Sequence, residues 1–173
     1  MKRLSDFRLL PPDEPQGAAA YLWLIYLAFF FVEWFFRPVG GMELTLAALT
    51  IIVFLALYFS AWWRRGGFAL AHIAGMVALG AAWTPYNAGA SVLFIYGASF
   101  AYRVGPPRLA AAVVLGIAAF AGLVAWWSQP VLIYWLPGVF ISLMVGGVNI
   151  YFAERERHNA ELRLKQGEVK RLA

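Results

Sequence analysis

Long apolar runs broken at short polar intervals dominate the chain, and they predict membrane-spanning helices. After a polar, proline-bearing tail over residues 1–17, the runs cover 18–36, 44–63, 68–83, 88–102, 109–127 and 131–153. The breaks between them hold Arg64-Arg65-Gly66-Gly67, Thr84-Pro85-Tyr86-Asn87, Arg103-Val104-Gly105-Pro106-Pro107-Arg108 and Ser128-Gln129-Pro130. A helix that crosses a bilayer needs about 17–25 residues, so runs one, two, five and six qualify by length. Runs three and four are a residue or two short and reach only about 22–24 Å as straight α-helices. The regular breaks favour a spanning pair there over a re-entrant hairpin. The expected fold is an all-α membrane protein with six transmembrane helices over 18–153. An amino-terminal tail (1–17) precedes them and a helical linker (154–173) follows.

Composition supports lipid as the solvent. The 173 residues are 62% hydrophobic and only 13% charged, about half the charged share of a soluble domain. A chain this short cannot hide that much apolar surface from water. With no cysteine, disulfides and thiolate metal sites are excluded.

The net charge of +5 becomes informative once the charges are placed. With six spans, both termini and the loops at 64–65 and 103–108 share one side. That side carries 13 of the 14 Lys and Arg residues, leaving only Arg37 opposite. Cytoplasmic loops are the basic ones, so the expected location is a bacterial inner membrane, multi-pass, with both termini cytoplasmic. The excess positive charge then calls for no nucleic acid. Trp62 and Trp63 fall at the inner interface, and Trp34, Trp83, Trp126, Trp127 and Trp135 at the outer one, where indole rings prefer to sit.

Few residues carry candidate chemistry. Glu33 is the carboxylate inside an apolar run, and such groups are often functional. Its i, i+4 spacing to Arg37 equally suits a structural ion pair near the outer end of the first span. His72, about a turn into the third run, is a sensing candidate or a hydrogen-bonded residue near the headgroups. The only other histidine is His158, so no metal ligand set is apparent. Gly97-Ala98-Ser99 lacks a base at any recognisable spacing and is not read as a nucleophile. Asn149 is placed to bond across helices. No cofactor site is expected within the chain.

The sixth run carries more information. Gly138, Ser142 and Gly146 form a small-residue stripe of the kind that lets transmembrane helices pair, and they are the expected dimer stripe. No breaker separates this run from the charged tail, so the helix is expected to continue past the membrane. A four-three spacing runs through Val148, Phe152, Arg155, Asn159, Leu162, Gln166, Val169 and Ala173. Polar residues on such a seam trade stability for register choice. A second face through Ala153, Ala160, Leu164, Gly167 and Arg171 offers a poorer register. The reading is a marginal parallel two-stranded coiled coil, hence a homodimer.

Short-looped spans followed by Ala153-Glu154-Arg155-Glu156-Arg157-His158-Asn159-Ala160-Glu161-Leu162 and then Glu168-Val169-Lys170-Arg171-Leu172-Ala173 resemble the DesK-type bacterial sensor histidine kinases. The stretch Leu9-Leu10-Pro11-Pro12-Asp13-Glu14-Pro15 before the first span resembles them as well. The resemblance implies a membrane sensor that feeds a two-helix coiled coil, a phosphoacceptor helix and an ATP-binding domain. The phosphoacceptor motif and nucleotide boxes are absent from these residues, and His158 does not take the phosphoacceptor role. The chain is thus expected to be the sensor and linker portion, with ATP and Mg used by a kinase core beyond Ala173. Membrane lipids, a second copy of the chain and a response regulator are the implied partners. The alternative is a small multi-span transporter or channel subunit.

Overall fold

The computed structural model describes residues 9–12, 19–128 and 132–172, with side chains over 20–128 and 136–168 within the helices. The outer tail positions 1–8 and 13–18, the Trp135 and Val169 side chains and Ala173 lie outside the described residues. Among those described there are helices and no strands. A short α1 (Ala19–Trp23) runs directly into a 3-10 helix (Leu24–Phe35). α2 (Gly41–Ala61), α3 (Gly67–Trp83), α4 (Ser91–Ser99), α5 (Pro107–Ser128) and α6 (Leu132–Leu172) follow, with single 3-10 turns at Ala88–Ala90 and Ala101–Arg103 flanking α4. α2, α5 and α6 are long and apolar enough to cross a membrane; α3 and the first helical segment are shorter apolar helices.

The winding of the first segment departs from a uniform α-helix. Runs of 3-10 helix beyond three or four residues are uncommon, yet here 12 residues adopt it. At about 2.0 Å per residue against 1.5 Å in an α-helix, α1 and its continuation reach about 31 Å, where an α-helix of the same residues would reach about 25 Å. Side chains from elsewhere in the bundle bond to the backbone of this first segment, one within the 3-10 stretch and two in α1 before it. Tyr58 Oη donates to the Ala20 carbonyl (2.6 Å), Tyr96 Oη to the Trp23 carbonyl (2.6 Å) and Asn87 Nδ2 to the Phe30 carbonyl (2.7 Å). One face, with Ala20, Leu27 and Phe30, is buried against the bundle.

The fourth run is also composite: nine α-helical residues with 3-10 turns at both ends, together about 25 Å long. This short α-helix is the centre of the described bundle. Val92, Leu93, Phe94, Tyr96, Gly97 and Ala98 are all buried, and α4 packs against α3, α5, α6 and the 3-10 helix. An apolar helix without a polar face is a helix enclosed by others. Below it, Phe54, Tyr58, Trp62, Tyr96 and Phe100 form an aromatic core, with the Tyr58 ring 5.6 Å from Tyr96 and 5.5 Å from Phe100.

Two groups of contacts mark the ends of the bundle. At one end Gly66, the single described residue with positive φ (63°), starts α3 and donates its N–H to the Arg103 carbonyl (2.9 Å). Trp63 Nε1 donates to the Leu9 carbonyl at the same end (3.0 Å). Arg103, expected in a polar loop, is 7% exposed: it donates to the Trp62 carbonyl (3.0 Å) and lies against the Trp62 and Tyr102 rings. Those partners, brought from α2 and the adjacent turn, let the bundle enclose a guanidinium. The other end holds Glu33, Arg37, Glu43 and Tyr86.

α6 is a single helix of 41 residues, about 61 Å long, and it runs through the charged tail without a break.

Candidate functional site

The 3-10 winding has a direct consequence for the side chains it displays. At three residues per turn, positions three apart eclipse one another. Trp23, Tyr26 and Phe29 therefore stack in a column, with centroids 5.8 and 6.3 Å apart and ring planes within 24° and 12°. Val32 continues the column. An α-helical wind would fan these side chains out by about 60° per step of three.

This aromatic column forms one wall of a cleft of about 830 Å³, within the size range of ligand pockets. α6 forms the facing wall through Pro137, Gly138, Ile141, Val145 and Asn149, and α4 with its flanking turns supplies Ala88, Ser91, Val92, Ile95, Tyr96, Ser99 and Tyr102. Spacings of three and four along α4 bring that set to one face. Trp23, Tyr26, Phe29 and Ile141 on the walls are 41–57% exposed, whereas Tyr58, Trp62, Val92, Tyr96 and Phe100 beneath are at most 5% exposed. The cleft is thus open at the side and closed below.

Polar groups stand at its two ends. At one, Glu33 Oε2 accepts the Ala88 N–H (2.6 Å), and Asn87 caps the same turn by accepting the Gly89 N–H (2.9 Å). Arg37 Nε donates to Glu33 Oε1 (3.3 Å), so the i, i+4 pair anticipated from the sequence is formed. The pair is part of a larger cluster. Arg37 Nη1 donates to Glu43 Oε2 (2.9 Å), Nη2 donates to Glu43 Oε1, and Nη2 also reaches the Tyr86 carbonyl (3.1 Å). The bond to Glu43 foremost, with Glu33 behind it, raises the Arg37 pKa above its ordinary value, despite some desolvation in the other sense. At the far end Asn149 Nδ2 donates to the Ser99 carbonyl (3.1 Å), an acceptor left by the end of α4, and so bonds across helices as its position suggested. Arg103 lies directly behind that end, its guanidinium carbon 5.2 and 5.4 Å from the centroids of Trp62 and Tyr102, which both line the cleft.

The other sequence candidates are distributed differently. His72 is half-buried on α3, its Nδ1 meets the Phe68 carbonyl of its own helix (2.7 Å), and it is not among the residues that line the cleft. Gly138, Ser142 and Gly146 need correction as a dimer stripe, because their own chain occupies it. A Cβ at Gly138 would lie 2.7 Å from Ser91 Cβ, and one at Gly146 2.5 Å from Val114 Cγ2 and 3.3 Å from the Ala98 carbonyl. Ser142 between them is fully buried. The stripe is the joint by which α6 seats on α4 and α5. The seam residues Val148, Phe152, Arg155, Asn159, Leu162 and Gln166 are exposed or nearly so along α6; Asn149, one position from the seam, closes the cleft.

The sequence reading missed Glu43, Asn87, the burial of Arg103 and the column Trp23-Tyr26-Phe29-Val32. The last left no local signal, because almost every residue from Tyr21 to Phe36 is bulky and no period of three stands out. No metal-holding cluster of His, Asp or Glu occurs among the described residues. Comparison with protein-family models, curated proteins and solved structures finds no match to this chain.

Proposed function

We propose that the chain is the membrane-embedded sensing module of a DesK-type sensor histidine kinase. In this reading its helical segments cross the cytoplasmic membrane six times with both termini inside. α6 passes the state of the bilayer to a dimeric coiled-coil linker, and thence to a kinase core that uses ATP and Mg and serves a response regulator. The observation that carries the reading is the continuity of α6. Ile141 and Val145, which line the cleft, precede Val148, Phe152, Arg155, Asn159 and Leu162 at the same four-three spacing on one unbroken helix. A turn of α6 about its axis at the cleft is therefore a turn of the apolar seam. The asymmetry of basic residues between the ends supports the orientation.

The stimulus best suited to this geometry is bilayer thickness. Rewinding the 12-residue 3-10 helix into an α-helix shortens the first segment by about 6 Å and turns one end against the other by about 240°. A thick bilayer favours the long form and a thin one the short form. The long form alone keeps Trp23, Tyr26 and Phe29 aligned as a wall, so thickness alters the surface that α6 faces. A transporter would gather polar groups at mid-depth; here Glu33 and Asn149 stand at opposite ends of the cleft.

The test places single cysteines through positions 148–168 of the full chain in short-chain and long-chain phosphatidylcholine. Disulfide formation between copies is expected to follow the four-three seam in one lipid and to move to the Ala153, Ala160, Leu164 face in the other. The same pattern in both lipids, or none in either, removes the proposal.

A further inference from the structure

We propose that the cleft between the aromatic column and α6 is a binding site for one acyl chain of an anionic phospholipid, with the headgroup at the arginine-rich end. The proposal rests on the membrane-embedded reading above and adds the occupant.

Shape selects a chain. The cleft follows α4 and its flanking turns for about 25 Å, against about 15 Å for one leaflet's hydrocarbon depth. It is open along its side and lined mainly by apolar and aromatic groups between polar ends. A linear tail entering sideways from the lipid runs over a mainly apolar and aromatic lining before it reaches either end. At mid-depth Phe29, Ile95 and Ile141 face the space beside the Tyr26 phenol, so a compact polar solute finds few partners there.

Charge selects the head and its direction. At the Glu33 end two carboxylates face one guanidinium, and Arg37 is bonded to both. That end is negative and repels an anionic head. At the opposite end Arg64, Arg65 and Arg108 are exposed, and the Arg103 guanidinium sits behind the cleft-lining Trp62 and Tyr102 rings. Basic residues at a membrane surface attract anionic headgroups. A tail seated along Tyr26, Ile95 and Ile141 therefore leaves a phosphate within the field of these arginines. Because Ile141 belongs to the α6 wall, the occupied cleft holds that helix against the aromatic column.

The experiment uses the full chain in phosphatidylcholine nanodiscs doped with phosphatidylglycerol that carries a diazirine in one tail. Photolabelling is expected to concentrate on 23–36, 91–99 and 137–149. Ile95→Trp, which fills the floor, is expected to lower labelling about tenfold. Val145→Trp fills the cleft from the facing wall and gives the same loss should Ile95→Trp fail to fold. If neither folds, the label distribution on the unsubstituted chain decides alone. Arg64→Gln with Arg65→Gln is expected to lower the preference for phosphatidylglycerol over equally labelled phosphatidylcholine about thirtyfold. Three results overturn the proposal: label spread over the exposed faces of α2 and α5, equal labelling by both phospholipids, or stronger labelling by a diazirine fatty acid than by the phospholipid. Cleft labelling together with tail crosslinks that ignore the lipid would keep this site and remove the sensor reading, so the two fail separately.

Discussion

Gly146→Ala distinguishes an intrachain joint from a dimer interface. The added methyl is placed 2.5 Å from Val114 Cγ2, 2.8 Å from Val114 Cγ1 and 3.3 Å from the Ala98 carbonyl. The two nearest atoms are both branches of one β-branched side chain, which has few rotamers to escape into. Backbone behind it blocks retreat in the other direction. Overpacking of this kind costs about 1–3 kcal/mol. Val114→Ala removes both clashing methyls and, at about 0.8 kcal/mol per group, costs about 1.5 kcal/mol alone because Val114 is 4% exposed. The double variant fills the space one substitution vacates with the methyl the other adds, so the two changes couple favourably by about 1–2 kcal/mol. Gly147→Ala is the control: nothing lies within 4 Å of its Cβ, and the exchange is expected to be neutral or stabilising by up to about 1 kcal/mol. The assay is equilibrium unfolding in mixed micelles, followed by near-ultraviolet circular dichroism of the tryptophans. If Gly146→Ala is as mild as Gly147→Ala, or Val114→Ala gives no rescue, the stripe does not seat α6 on its own chain. A loss of dimer with unchanged unfolding would return it to the interface role.

Further outcomes follow from single contacts. Tyr96→Phe removes the donor to the Trp23 carbonyl and is expected to cost about 1–2 kcal/mol, with faster hydrogen exchange at 23–27 as the local readout. Arg37→Gln leaves Glu33 and Glu43 facing each other across a partly exposed site and is expected to lower the unfolding temperature modestly, less so at high salt; adding Glu43→Gln restores most of it, read by thermal unfolding. His72→Ala, at a half-buried side chain bonded within its own helix, is expected to change stability by less than about 1 kcal/mol and to leave the tail crosslinking pattern unchanged.

The elements were legible where the information is local. Arg64-Arg65-Gly66-Gly67 and the Pro106-Pro107 pair end helices by their own chemistry, and the α2 and α5 spans fall between such breaks. The uninterrupted helix through Ala153–Leu162 was likewise readable from helix formers without proline. What escaped depended on partners remote in sequence. Tyr58 and Tyr96 reach back 38 and 73 residues to the first segment, and no window around Leu24 contains them. A glycine stripe looks the same whether Val114 of its own chain or a second copy packs into it. Arg103 reads as a loop residue beside Gly105 and Pro106 until Trp62, 41 residues away, supplies its carbonyl.

The first segment shows why such remote contacts bear on function. Its 3-10 wind is bonded by side chains from elsewhere in the bundle at two points, by Tyr96 at the Trp23 carbonyl that begins it and by Asn87 at the Phe30 carbonyl within it, each worth about 0.5–1.5 kcal/mol. Together they hold the long form by about 1–3 kcal/mol against the better intrinsic hydrogen bonding of an α-helix. A bilayer that no longer matches a segment longer by about 6 Å opposes it at a fraction of a kcal/mol per Å, about 1–3 kcal/mol in all. The two terms are of one size, so neither winding is fixed by the protein alone. Since Tyr96 lies on α4 and Asn87 just before the turn that leads into it, and α4 packs directly on α6, the proposed function has a change of winding delivered to the helix that leaves the bundle.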